Sequence, residues 1–366
     1  MARSVGISNH GRIASRVKMR PADIFRWPVA GHIILGLHAL LACASPAVAE
    51  SDVEAFYRGR TLEMIVGYAA GPSNDLYARA VAANIGRHIP GAPNVIVRNV
   101  PNAGGILATN QVYNVYPRDG TVLATVSQTL PLESRLDFPG VKFRPGQFGW
   151  LGRVSSGTMV SFAMSAARVK TIADAFEYPL LMAATSASTI LIYPNVLNKL
   201  VGTRFKMVMG YPSSPEALLA VQRGEAEALT LSWDSIKSQD DVLLAHKQIN
   251  PLVQYSVARH PDLPDLPTMV DLGRTEREKS ILATIGIASD LGKSFFTTPG
   301  VPPKRLEALR RAFEATLQDP AFKADLARMK LDLIPLGWRA TQKIVEDIDA
   351  APRSLIDEVA AVYQRP

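Results

Sequence analysis

The sequence predicts an α/β protein of two domains. Three observations carry that reading. The chain has 366 residues, too many for one modest core and suited to two. Short β-rich apolar runs alternate with amphipathic helical stretches, the pattern of parallel sheets covered on both faces. The proline and glycine clusters are all too short to be a flexible tether, so the two domains are joined by crossing segments of chain.

The N-terminus reads as an export signal. Residues 1–28 carry Arg3, Arg12, Arg16, Lys18, Arg20 and Arg26 against one acid, Asp23. An uncharged apolar run follows from Val29 to about Ala44 and ends at Ala47-Val48-Ala49, a small-x-small cleavage pattern. The run is short for a bilayer span, which needs ~20 apolar residues. Met19 is an alternative start. Leu40-Leu41-Ala42-Cys43 offers a second end point, a lipobox that would make Cys43 a lipidated first residue. The Ala47–Ala49 pattern is the better formed, so residues 1–49 are expected to be signal and the mature protein to lie in the periplasm.

Six bases and one acid lie in that segment, so its removal lowers the formal charge from +7 to +2. The pI of about 9.5 is therefore partly a property of the signal and gives no ground for nucleic-acid binding. Cys43 is the chain's one cysteine, so the mature part has no thiol chemistry. Its histidines are His88, His246 and His260, scattered along the chain, and no metal is expected.

Along the mature chain, strands are expected at 64–67, 95–98, 122–126, 180–184, 205–209, 228–231 and 252–258. Over Leu76–Ile89, the side chains of Ala78, Val81, Ala82, Ile85 and Ile89 fall on one helical face. Over Pro302–Gln318, Leu306, Leu309, Phe313 and Leu317 do the same behind a Pro302-Pro303 start.

Three loops each follow a strand and precede a helix: Gly67–Asp75, Asn99–Gly105 and Thr185–Thr189. Ligands in open α/β sheets bind beyond the carboxyl ends of strands, where helix starts offer free N–H groups to anions. Small residues let a ligand approach the backbone, and Ser73, Ser186, Ser188 and Thr189 add hydroxyls. Any one such loop is equally a turn or cap; three in corresponding places favour a site. Asp75 either receives a polar ligand group or caps its helix. Tyr211 and Trp233, each after a predicted strand, either wall a cleft or pack. The phosphate loop, the dinucleotide fingerprint, the H-E-x-x-H pair and the G-x-S-x-G elbow are all missing, so no cofactor and no enzyme activity are expected.

These residues resemble a family, the solute receptors of tripartite tricarboxylate transporters, also called Bug proteins. The resemblance runs from about Tyr57 to the C-terminus. It rests on Met64–Asp75 with Ala78-Arg79, on Asn99 with Pro101-Asn102-Ala103-Gly104-Gly105, and on Pro117–Thr121. It continues through Arg259 with Leu263–Thr268, and Pro299–Pro303 with Leu306. Their order and spacing are more specific than any one of them.

The resemblance implies a type II (Venus-flytrap) periplasmic binding protein whose two lobes close over a small carboxylate held by loop backbone and waters. The lobes are expected at 50–162 plus 281–366 and at 163–280. The ligand set it implies is Tyr68, Ala70, Gly71, Ser73, Asn74 and Asp75; Asn102, Ala103, Gly104 and Gly105; and Ser186, Ser188 and Thr189. Ser127, Tyr211 and Trp233 are further candidates for the site. A monomer is expected, with permease subunits in the membrane as partners. Three departures stand out: Pro72 replaces a family glycine and removes a backbone donor, Asn102 replaces another, and the third loop lacks glycine altogether. Fewer N–H groups or a narrower site should follow. Two other readings stay open, an exported hydrolase or transferase with Ser186 or Ser188 as nucleophile, and a receptor that signals to a kinase without transport.

Overall fold

The computed structural model describes residues 52–185, 189–239, 244 and 246–363, without the side chains of Ala103, Ser238 and Gln239. The expected signal, its cleavage site and Cys43 lie outside them.

The alternation expected from the sequence is present. In chain order the first part holds α1 (Asp52–Tyr57), β1 (Thr61–Val66), α2 (Ser73–Ile85), β2 (Asn94–Asn99), α3 (Ile106–Asn114), β3 (Val122–Thr125), α4 (Leu130–Arg135) and β4 (Gly149–Arg153). Then come β5 (Met159–Met164), α5 (Asp174–Glu177), β6 (Leu180–Thr185), α6 (Thr189–Val201), β7 (Phe205–Tyr211), α7 (Ser214–Gln222), β8 (Ala228–Ser232), α8 (Trp233–Gln239) and β9 (Ile249–Tyr255). The last part holds α9 (Glu276–Gly286), α10 (Ala288–Leu291), β10 (Ser294–Thr297), α11 (Pro303–Gln318), α12 (Pro320–Arg328), β11 (Leu336–Gly337), α13 (Trp338–Ala350) and α14 (Arg353–Val362).

The strands form two sheets within one unit covering residues 50–366, in the orders β11-β4-β10-β3-β1-β2 and β7-β6-β8-β5-β9. All seven expected strands are among them, and β1–β2, β1–β3, β6–β7 and β6–β8 pair in parallel. The sheets are nevertheless mixed, a correction to the all-parallel expectation. β10 runs antiparallel to β3 and β4, and β5 runs antiparallel to β8 and β9. β10 and β5 each follow a passage of the chain from the other sheet rather than a crossover within their own, and each enters its new sheet antiparallel to its neighbours. The expected boundary at 162/163 falls inside β5, all of which pairs in the second sheet.

The helices bury the faces their spacing predicts. Ala78, Val81, Ala82, Ile85 and Ile89 are all buried, as are Leu309, Phe313 and Leu317 of α11, with Leu306 half-buried. These two helices pack with α12 over the first sheet, against Met64, Val66, Leu123 and Phe295. Each such Leu, Val or Phe removed from water contributes about 1.5–3 kcal/mol before the entropy of ordering it is counted.

The chain passes between the sheets twice, and the two passages lie side by side. Val154 donates its N–H to the Lys293 carbonyl (3.0 Å), Lys293 to Ser155 (2.9 Å) and Gly157 to Ser289 (2.8 Å). Gly292 makes this approach possible: at φ 45° and ψ −127°, a Cβ there would stand 2.2 Å from the Ser155 carbonyl oxygen.

Candidate functional site

Five strand ends and the helices that follow them meet at one cavity of about 980 Å³. From the first sheet come the β1–α2 loop and the segment 127–129 between β3 and α4; from the second come the starts of α6, α7 and α8. The cavity lies at the upper end of the roughly 300–1,000 Å³ usual for small-ligand sites.

The first loop is shaped by its own chemistry. Pro72 is the N-cap of α2, at φ −59°, and its carbonyl accepts the Asp75 and Leu76 N–H groups (2.9 and 3.2 Å). Gly71 turns its N–H onto the Asp75 carboxylate at 2.9 Å. Residues 71 and 72 thus offer no N–H to a ligand, as expected from Pro72. The first-turn N–H groups of Ser73 and Asn74 have no partner inside the helix, and both residues line the cavity.

Of the residues singled out in the sequence, Tyr68, Ala70, Gly71, Ser73, Asn74, Gly104, Ser127 and Thr189 line this cavity. Others have different places. Asp75 is buried, and its carboxylate is held by Gly71, Arg79 and Asn99, so it braces the loop rather than facing the cleft. Burial works to raise its pKa, but those hydrogen bonds outweigh it and hold the carboxyl below its ordinary value. Asn102 is exposed outside the cavity, and Gly105 is buried behind Gly67. Tyr211 pairs across from Thr185 at the sheet edge and packs on the second-sheet core. Trp233 is buried in that core, with its indole N–H on Asp262 at 2.9 Å. Neither residue is among those that line the cavity. Ser186, Ser188 and the Ala103 side chain lie outside the described atoms.

The cavity also gathers residues that sequence reading passed over. Gln128, Thr129 and Glu133 continue from Ser127, and Ser213, Ser214, Ser232 and Ser235 stand at the starts of α7 and α8. The rule that singled out the first three loops, a strand end before a helix start, applies to each of these as well. Thr129 donates to Glu133 at 2.9 Å and shares a 2.8 Å hydrogen bond with Ser127. Ser235 reaches from α8 to Ser73 of α2 at 3.4 Å, joining the two sides of the cavity.

Lys293 carries no local signal at all. It sits in the second passage between sheets, is 4 % exposed, and lines the cavity. Burial presses its pKa down, with the Asp234 carboxylate opposing, and burial likewise presses Asp234 up against Lys293.

Beside the cavity, Lys237 of α8 bridges two carboxylates, Asp262 at 2.6 Å and Asp332 at 2.5 Å. His260, Asp262 and Asp332 converge within 4.8 Å, a grouping invisible in the sequence. The Lys237 ammonium contacts both carboxylates of that group.

The model of the tripartite tricarboxylate transporter family receptor (TctC) matches residues 77–360. The chain is similar to a UPF0065 protein of Cupriavidus necator from the gbd 5′ region, 25% identical over 316 residues, covering 83% of this chain and 87% of that one. Its fold is similar to that of a TctC solute-binding protein from Polaromonas, with a TM-score of 0.61 and 22% identity over 82% of this chain and 99% of the other. It is also similar to Rpa4515 of R. palustris, solved with adipate, with a TM-score of 0.62 and 20% identity over 83% and 98%.

Proposed function

The chain belongs to the tripartite tricarboxylate transporter receptor family, and we propose that it captures a small carboxylate in this cleft for delivery to permease subunits in the membrane. The observation that carries the reading is the convergence of helix starts and hydroxyls from both sheets on one cavity. Aligned peptide dipoles and unpaired N–H groups at helix starts suit an anion without any arginine clamp. The first side would hold it through the Ser73 and Asn74 amides with Ser127 and Thr129, the second through Thr189, Ser213 and Ser232. Adipate in a solved structure of the same fold supports the ligand class.

In this reading the sheets define two lobes, one of residues 52–157 with 287–363, the other of 158–286. A ligand that touches both lobes favours the closed form by its differential affinity, and that form docks on the permease. Export through residues 1–49 places the protein in the periplasm. Among the described residues, no helix is long and apolar enough to cross a membrane.

A thermal-shift panel of di- and tricarboxylates, aromatic acids and amino acids tests capture. A bound ligand at about 100 times its Kd adds roughly 2.7 kcal/mol to stability, so a true ligand raises the melting temperature by several degrees. No shift with any member of the panel overturns the reading. Recovery of the bound acid unchanged, by mass spectrometry after denaturation, separates capture from turnover.

A further inference from the structure

We propose that Lys293 selects for a second negative charge on the ligand, its ammonium meeting one carboxylate of a dianion whose other carboxylate lies at the helix starts. The proposal deepens the carboxylate-capture reading and rests on it.

Lysine is almost never fully buried unless it is paired, because removing an ammonium from water costs several kcal/mol. Lys293 is buried, yet the pairing it has is incomplete. Among the described residues, the side chain that meets its Nζ is Asp234, at 3.7 Å, beyond hydrogen-bond distance. Asp234 in turn accepts the Tyr77 hydroxyl at 3.1 Å on its other oxygen. An ammonium has three donors, and this one has a single, distant acceptor, on a residue that lines the cavity.

The other cations of the cavity wall differ. Arg328 is held by Asp325 at 2.8 Å and is mostly in water, and Lys330 is exposed. A charge in water is screened; a buried one acts in low dielectric and discriminates strongly. The backbone also fixes Lys293, through its N–H on Ser155 and its carbonyl on Val154, within the crossing segment. Its backbone is therefore held where the two crossing segments between the sheets lie side by side.

The alternative, a purely structural ion pair between the crossing segment and α8, makes different predictions. A structural pair would be weakened by neutralising either member, and ligand preference would not move. If the ligand completes the coordination of Lys293, neutralising Asp234 removes a competitor for the ammonium.

Titration calorimetry on the full chain distinguishes them, with adipate against hexanoate and terephthalate against benzoate as probe pairs. Each pair differs by one carboxylate on the same carbon skeleton. The wild type should prefer the diacid of at least one pair. K293M should lose about 10- to 100-fold in affinity for that diacid, the worth of one charge-assisted hydrogen bond, with monoacid binding within about twofold. D234N should tighten diacid binding several-fold. Because K293M leaves Asp234 buried without its cation, the double variant K293M/D234N serves as the folding control and should also lose the preference. A diacid preference unchanged in K293M or in the double variant overturns the proposal, as does equal binding of both acids by the wild type while capture itself stands. A wild type that binds none of the four acids nor any member of the wider panel overturns capture, and this inference with it.

Discussion

The side-chain amide of Asn99 donates to the Asp75 carboxylate at 2.8 Å, joining the end of β2 to the first turn of α2 across 24 residues of chain. The ring is completed by Arg79, which donates to Asp75 through Nε at 2.8 Å and to Asn99 Oδ1 through Nη2 at 3.0 Å. Asn99 also donates to the Tyr68 carbonyl at 3.0 Å, and Gly71 to Asp75. Both ends of the Tyr68–Asp75 loop are thus tied to one buried carboxylate. Preorganising a loop in this way lowers the entropy lost when a ligand binds to it.

Replacing that carboxylate should loosen the loop. D75N keeps the shape but removes the charge that accepts three hydrogen bonds, and should cost about 2–3 kcal/mol by urea denaturation, with weaker ligand binding. Asp75 has its folded pKa below its unfolded value near 4. Its stabilisation is therefore fully present above about pH 4 and is lost as pH falls through the lowered folded value. The gap between wild type and D75N should be constant from pH 6 to 8 and close on acidification below pH 4; a gap that widens there contradicts the account.

Lys237 fastens the two sides of the cleft at a second place, since Asp332 precedes β11 of the first sheet while Lys237 and Asp262 belong to the second-sheet half. K237M should leave two facing carboxylates, weaken the closed form by about 1 kcal/mol, and lower ligand affinity several-fold. Burial pulls the Lys237 pKa down, but Asp262 and Asp332 outweigh it and raise the pKa overall. A raised lysine pKa contributes stability fully present below the unfolded value near 10.4 and lost only above the folded one. The K237M effect should therefore be flat between pH 7 and 9. Small-angle scattering with and without ligand checks the closure; an unchanged closed population in K237M rejects the role.

Much of this site was readable from residue order, and the part that was not has a physical reason. Ser73, Asn74, Gly104 and Thr189 follow from strand ends and helix starts alone. β4 was invisible because packing, not strand propensity, chose its residues: a Cβ on Gly149 would lie 2.7 Å from Leu306 and from Thr297, and one on Gly152 2.9 Å from Phe313. Asp75 has the same local sequence whether it caps, braces or binds, and only its distance to Asn99 decides. Lys293 and the cluster around Lys237 draw partners from segments tens of residues apart, so no window of sequence contains them.

His260 should make stability fall in mild acid. Its Nδ1 accepts the Asp262 N–H at 3.2 Å, which places the ring proton on Nε2, facing Asp332 at 3.5 Å. Burial lowers its pKa most, with Lys237 acting in the same sense and Asp262, Asp332 and Asp234 opposing. Protonation would put a second proton on Nδ1 and break the bond from Asp262. The folded pKa lies below the unfolded value near 6.5, so the neutral ring's stabilisation is present above pH 6.5 and lost as pH falls through the folded value. H260Q should flatten the stability profile in that window, as read by thermal unfolding from pH 5 to 8. A wild-type profile that rises on acidification contradicts the assignment.

Gly292 gives the sharpest steric test, because its neighbours cannot move out of the way. An alanine Cβ there would meet Ser155 O at 2.2 Å, Ser156 C at 2.6 Å and Gly157 N at 2.7 Å, all of them backbone atoms of the other crossing segment. The backbone itself is at φ 45°, where a side chain adds strain of about 1–3 kcal/mol. Overpacking adds a similar amount, so G292A should cost about 3 kcal/mol or more in urea. Gly71 is the control: its φ is 108°, but nothing lies within 4 Å of an added Cβ, so G71A should carry the conformational cost alone. Equal losses in the two variants would mean the crossing segments part easily. A larger loss in G292A, with diacid affinity falling alongside because Lys293 is the next residue, would tie the packing of the crossing segments to the charge beside them.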